Sequence, residues 1–265
     1  MKNSPGRILL LISNVIVYAY LVIPLLIVIG ISFTPTYQMS FPPEGLSLRW
    51  FKHVLDQKEL THSFYVSVVV AFFASLFALI LGILASLAIV RYQFRGKMII
   101  ENVFMMPIIL PTVVTGVAML QFFSILGYHN FWMRLILGHI VITIPYTIRS
   151  ISASLYGFNR RLEEASMIMG ANRLHTFKNI LLPLIKPGII AGALLAFIIS
   201  FDNVTVSLFL LGTKTVTLPV RIMLHLEWQF DPSVAAISTI LIVLTVITII
   251  IAERIVGLTN VMRLE

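Results

Sequence analysis

Two places in this sequence set charged and small residues where chemistry could use them. The first begins Glu163-Glu164-Ala165-Ser166, continues to Gly170-Ala171, and ends at Leu182-Pro183. The second is Asp202-Asn203, a carboxylate and an amide inside an otherwise apolar run from 196 to 209. Other reactive groups are scarce. There is no cysteine, so thiolate nucleophiles, disulfides and cysteine metal sites are excluded. His53, His62, His129, His139, His175 and His225 include no pair at helical i, i+4 spacing, so no metal site is expected. No glycine-rich phosphate loop occurs. Gly96-Lys97 is followed by Met98 and lacks the upstream glycine, so nucleotide chemistry would have to sit on a partner.

The elements that must position these residues follow from composition. The chain is 58% hydrophobic and 11% charged, with a mean hydropathy of +0.98. A soluble fold needs about 25% charged residues to clothe its surface. The reading is an all-α polytopic membrane protein. Crossing a bilayer takes about 20 apolar residues. Six segments qualify: 8–33, 64–90, 99–126, 131–157, 188–212 and 234–256. The first run is longer than a signal-peptide core of about 7–15 residues, so it is read as a retained helix. Six spans place both termini on one side. Basic residues favour that side, with Lys2, Arg7, Arg91, Arg95, Lys97 and the cluster from Arg160 to Lys186, so both termini are expected in the cytoplasm. The net charge of +8 is thus assigned to loops that orient the chain, and no nucleic-acid partner is expected.

Outside the spans, residues 34–63 form the longest stretch on the far side. Leu48, Phe51 and Leu55 recur at helical spacing, which predicts a short amphipathic helix with Trp50 at the water–lipid boundary. Pro107, Pro111 and Pro145 are expected to kink their helices. A lipid-facing carboxylate costs about 2.5–3.5 kcal/mol at mid-membrane, so Asp202 should face a water-filled path or pair with a base such as Arg149. Thr112, Asn203, Tyr146 and Trp228 are further candidates for lining that path.

Residues 158–187 are too polar to span lipid and too apolar to be merely solvated. Leu162, Ala165 and Met169 share one helical face, and Gly170 permits a sharp turn. A second helical stretch, 173–182, is expected to end at Pro183. The pattern is that of a docking surface for another protein.

The spacing resembles the cytoplasmic signature of permease subunits of binding-protein-dependent ABC importers. That signature reads Glu-Ala-Ala, three residues, Gly, nine residues, Ile-x-Leu-Pro. The matching positions are Glu164, Ala165, Gly170, Ile180, Leu182 and Pro183, with Ser166 standing for the second alanine. The resemblance covers roughly residues 60 to 257 and implies a coupling helix near 160–185. That helix would seat Glu163, Glu164, Ala165, Ser166, Gly170, Ala171, Leu182 and Pro183 against an ATPase. It also implies an N-terminal part at 1–59 and a cytoplasmic tail at 258–265. The implied partners are a second permease, two ATPase subunits that bind ATP and magnesium, a periplasmic solute-binding protein, and membrane lipid. The implied location is the bacterial inner membrane, and the implied role is non-catalytic. Ser200-Phe201-Asp202-Asn203 is similar to the Ser-x-Asp-Asp/Glu segment of spermidine/putrescine-type permeases, with Asn203 replacing the second acid. Leu110-Pro111-Thr112 resembles another segment of those permeases, where Thr112 stands at a position that is often acidic. The implied solute is a small organic molecule, either a polyamine or a related cationic or amino compound, and a zwitterion stays open. The competing readings are a stand-alone transporter or channel that uses Asp202, and an intramembrane enzyme, for which Asp202 lacks a companion group.

Overall fold

The computed structural model describes residues 5–157, 159–228 and 231–256. The expected tail at 258–265 lies outside the described residues. The elements are helices α1 (Pro5–Ser32), α2 (Arg49–Asp56), α3 (Lys58–Arg91), α4 (Lys97–Ile109), α5 (Thr112–Ile125) and α6 (Phe131–Tyr156). They continue as α7 (Arg161–Ile168), α8 (Arg173–Thr176), a π-helical turn (Phe177–Leu181), α9 (Leu182–Asp202), α10 (Thr205–Leu210), α11 (Leu218–Trp228) and α12 (Ser233–Val256). Among the described residues there is no β-strand, only an isolated bridge between Gly212 and Thr215.

All six expected apolar segments fall on helix. By length and composition four are spans: Leu9–Ser32, Lys58–Arg91, Phe131–Tyr156 and Arg173–Asp202. The pair α4 and α5 makes a fifth if counted as one. Hydropathy does not reveal that this pair is bent by 108°. Pro111 has no N–H to donate and drives Leu110 into an extended conformation (ψ 142°), so the helix ends there and restarts at Thr112. The expected kink is therefore a full break at Pro111, whereas Pro107 and Pro145 stay inside α4 and α6. Pro183 behaves in the opposite way. It does not stop the second short helix but sits in the first turn of α9, where a missing N–H costs least. The π turn before it shifts the register: the Leu182 N–H donates to the Phe177 carbonyl, five residues back.

The chain divides into two units, residues 1–61 with 222–249, and residues 62–221 with 250–265. In the second unit α6 is the central helix. Thr147 Oγ1 donates to the Ala78 carbonyl at 3.0 Å, beside Gly82 on α3. Ser150 Oγ donates to the Gly188 carbonyl on α9 at 3.0 Å. Helices approach this closely in lipid where small residues line the seam. Gly188 and Gly192 are such residues. A Cβ on Gly188 would stand 2.8 Å from the Ser150 carbonyl oxygen, and one on Gly192 3.3 Å from the Thr147 Cα. Apolar clusters fill the rest, with Val66, Val70, Leu135, Val206 and Leu210 in one and Ile151, Leu155, Leu181 and Ile185 in another.

In the first unit α2 is amphipathic, but its buried face is not the one expected. Trp50 and Val54 are buried, and the Trp50 indole N–H donates to the Thr36 carbonyl at 3.2 Å. Leu48 and Leu55 are exposed. The loop 33–48 folds back and offers a carbonyl that the indole can satisfy, which draws Trp50 inward.

Gly188→Val should destabilise the protein by about 1–3 kcal/mol through overpacking of the α6–α9 seam. Gly157→Ala, at an ordinary backbone angle with only loose neighbours, should leave the melting temperature unchanged. Thermal melts of both variants in detergent check this.

Candidate functional site

The first site is the elbow between α6 and α9. It opens with α7, whose end is a glycine turn: the Gly170 N–H donates to the Met167 carbonyl, and the Ala171 N–H to the Ser166 carbonyl. Gly170 has φ +91°, a conformation that side chains with a Cβ disfavour. Asn172 then starts α8 by accepting the His175 N–H on its side-chain oxygen at 2.8 Å.

Two polar contacts lock the elbow. Arg91, at the end of α3, holds Glu163 through a bidentate pair of 2.5 and 2.6 Å, with both side chains about 15% exposed. Charge-assisted forks of this kind fix orientation as well as distance. Ser166 is buried and lies 3.0 Å from Thr176 Oγ1, hydroxyl to hydroxyl, which ties α7 to α8. The serine that stands for alanine in the motif thus forms a contact that alanine could not. Glu163 and Glu164 differ in environment. Glu163 is engaged inside the chain, while Glu164 is exposed and only 3.9 Å from Arg160, a weak surface pair. Ala165 and Pro183 are exposed, and Leu182 is half-buried. Among the charged and polar side chains that the elbow exposes stand three large apolar ones: Ile168 is 86% exposed, Met169 82% and Leu174 74%.

The second site is the break between α9 and α10. Asp202 is the last residue of α9. Asn203 is extended (ψ 108°), and the chain re-enters helix at Thr205. Asn203 caps the restart of helix on its far side. Its side-chain oxygen accepts the Val206 N–H at 2.8 Å, and its carbonyl accepts the Ser207 hydroxyl at 2.6 Å. Buried His139 of α6 spans the break, with Nδ1 2.7 Å from Ser200 Oγ and Nε2 3.0 Å from Ser207 Oγ. Because the Ser207 hydroxyl proton goes to Asn203, Nε2–H must be the donor to Ser207. The neutral ring then accepts from Ser200 on Nδ1.

Asp202 itself is exposed and has no hydrogen bond or ion pair among the described residues. The expected alternative, pairing with Arg149, does not occur. Asp202 lies near the level of His139, and Arg149 is ten positions further along α6, about 15 Å away. Thr112 is exposed at the start of α5, and Tyr146 is half-buried on α6 beside Pro145. Trp228 belongs to the other unit and is exposed. Sequence reasoning missed Arg91, Thr176, His139, Ser200 and Ser207. A basic residue closing α3 was visible in the sequence, but nothing local connects it with an acid seventy-two positions away.

The chain matches the family described as binding-protein-dependent transport system inner membrane component over residues 78–259. It is 34% identical to the spermidine/putrescine transport system permease protein PotC of Haemophilus influenzae over 246 residues, which is 92% of this chain and 95% of that one. It is 30% identical to the putrescine transport system permease protein PotI of Escherichia coli, covering 91% and 86%. Among solved structures it resembles a chain of a bacterial ABC transporter involved in the import of the acidic polysaccharide alginate. There the TM-score is 0.71 with 17% identity, over 97% of this chain and 98% of that one. The MetNI methionine ABC transporter gives a TM-score of 0.59 with 21% identity, over 80% and 98%. The chain belongs to the family of binding-protein-dependent transport system inner membrane components, the permease subunits of ABC importers.

Proposed function

We propose that this permease moves a small amino compound, a polyamine or a related cationic solute, from the periplasm to the cytoplasm by alternating access. ATP and magnesium are bound by two partner ATPases that dock on the elbow from the cytoplasm. A second permease, alike or different, completes the path, and a periplasmic binding protein delivers the solute. In this reading the chain crosses the membrane six times with both termini inside.

One observation carries the docking role. Ile168 and Met169 are exposed just before Gly170, outside the spans, and Leu174 is exposed just after it, in the first turn of the Arg173–Asp202 segment. Apolar side chains clustered on a polar loop mark a protein contact. Glu164 adds an exposed acidic neighbour, only weakly paired with Arg160, while Glu163 is used to hold the elbow to α3. The mechanics follow from the helix behind it. Arg173 to Asp202 forms one rod of 30 residues, about 45 Å long. A push on α8 therefore reaches the Asp202 break along continuous helix, through the π turn and past Pro187. Such a rod biases a bundle between two packings, which is how a partner drives alternating access.

Replacing both Ile168 and Met169 by Asp should abolish co-purification of the ATPases while the permease stays in the membrane. Gly170→Val strains the turn by about 1–3 kcal/mol and should reduce uptake about tenfold or more. Uptake at the wild-type rate in either variant would remove the elbow from the coupling route. Asp202→Asn should slow uptake of a cationic solute about tenfold with the ATPases still bound. Unchanged kinetics in vesicles would take Asp202 off the path.

A further inference from the structure

A cavity of about 500 Å³ lies between α4 and α6, with Ile89 of α3 at its edge, and runs along α4 from Glu101 to Ile109 and along the last turns of α6 from Ile148 to Tyr156. Its walls are mostly apolar, with Met105, Ile108 and Ile148 among them. Into this space come one acid, Glu101 of α4, and one base, Arg149 of α6. Neither has a hydrogen bond or ion pair among the described residues, and they are not paired with each other. Ser152 lies three residues beyond Arg149 on the same face of α6, and its buried hydroxyl also lacks a partner. Glu101 and Met105 form the matching stripe on α4, and Tyr156 completes that of α6.

Glu101 is half-buried and Arg149 is exposed on the cavity's open side, and a charge in an apolar surround gains from a partner that neutralises it. Two opposite charges facing one apolar space, each without a partner, define the missing partner by complementarity. A dication would be drawn to Glu101 and repelled by Arg149. A monoanion would meet the reverse. A molecule with an ammonium at one end and a carboxylate-like anion at the other satisfies both, and a guanidinium fork suits such an anion in two-point contact. The volume is within the range of about 300–1,000 Å³ typical of small-molecule sites.

We infer that this cavity is a subsite for a small zwitterionic amino compound, with Arg149 and Ser152 holding its anionic end and Glu101 its ammonium. The inference rests on the importer reading and, among small amino compounds, selects the zwitterion over the polyamine. The same pair of charges occurs in the phosphatidylethanolamine headgroup, so the test separates a transported solute from lipid.

The test uses the full complex with its second permease and ATPases, in nanodiscs of phosphatidylglycerol, without the binding protein. Radiolabelled 4-aminobutyrate, putrescine and butyrate share a four-carbon backbone and differ in end charges. 4-Aminobutyrate should bind about tenfold more tightly than either of the others. Arg149→Gln should erase its advantage over putrescine, Arg149→Lys should keep part of it, and Glu101→Gln should erase its advantage over butyrate. Adding phosphatidylethanolamine to the discs should leave 4-aminobutyrate binding unchanged. The inference is overturned if putrescine binds as tightly as 4-aminobutyrate, if none of the probes binds, if the variants keep the wild-type preference, or if phosphatidylethanolamine displaces the probe. Co-purification of the ATPases with every variant reports intact folding. Its loss in the wild-type chain would instead sink the importer reading.

Discussion

Inside hydrocarbon no water is at hand to satisfy a backbone amide, so a helix can be interrupted only where the protein itself supplies the partners. The second unit is built around one such interruption. Asn203 caps the restart of helix with its side chain and receives the Ser207 hydroxyl on its carbonyl, and His139 ties Ser207 to Ser200 across the gap. Each polar atom in that set answers another. The result is that helix restarts after Asp202 with the Val206 amide and the Asn203 carbonyl both satisfied from within the chain. The close α6–α9 seam at Gly188 and Gly192 holds the two sides of the network in register.

The same seam connects the interruption to the elbow. α9 carries the break at one end, and the π turn and α8 continue it to Gly170 at the other. The elbow is tied to α8 by Ser166 and Thr176 and to α3 by Arg91 and Glu163. A motion imposed on α7 is thus shared by two long helices. One of them ends beside the acid, and the other packs on α6 through Gly82. This division of labour explains why one glutamate of the motif is turned inward while its neighbour stays outside.

Much of this was legible in the sequence. The apolar runs marked the helices, because in lipid composition and length decide what spans. The glycine in the elbow was legible because only a positive-φ position needs it there. The breaks were less so. Pro111 announced a disturbance but not its size, since a proline inside a helix and a proline that starts one read alike. The break at Asn203 carries neither proline nor glycine. Its only local sign is an asparagine three residues before the amide it caps, easily taken for a substituted acid. Contacts between distant positions were not legible at all. His139 read as a lone histidine, and Trp50 as a boundary residue, because the groups that pair with them lie on other elements.

The π turn at Phe177–Leu181 has a consequence for how the chain can vary. It stores one residue more than an α-helical turn, in the stretch that joins α7 and α8 to the rod. Deleting that residue would close the wide turn into an ordinary one and leave the flanking helices at nearly the same azimuth, because the wide turn takes one residue more to complete the same revolution. Deleting a residue from ordinary helix in α9 would instead swing everything before it by about 100°. The π turn is therefore the one place in this stretch where the chain can lose a residue and still aim its apolar knob at the same motor surface.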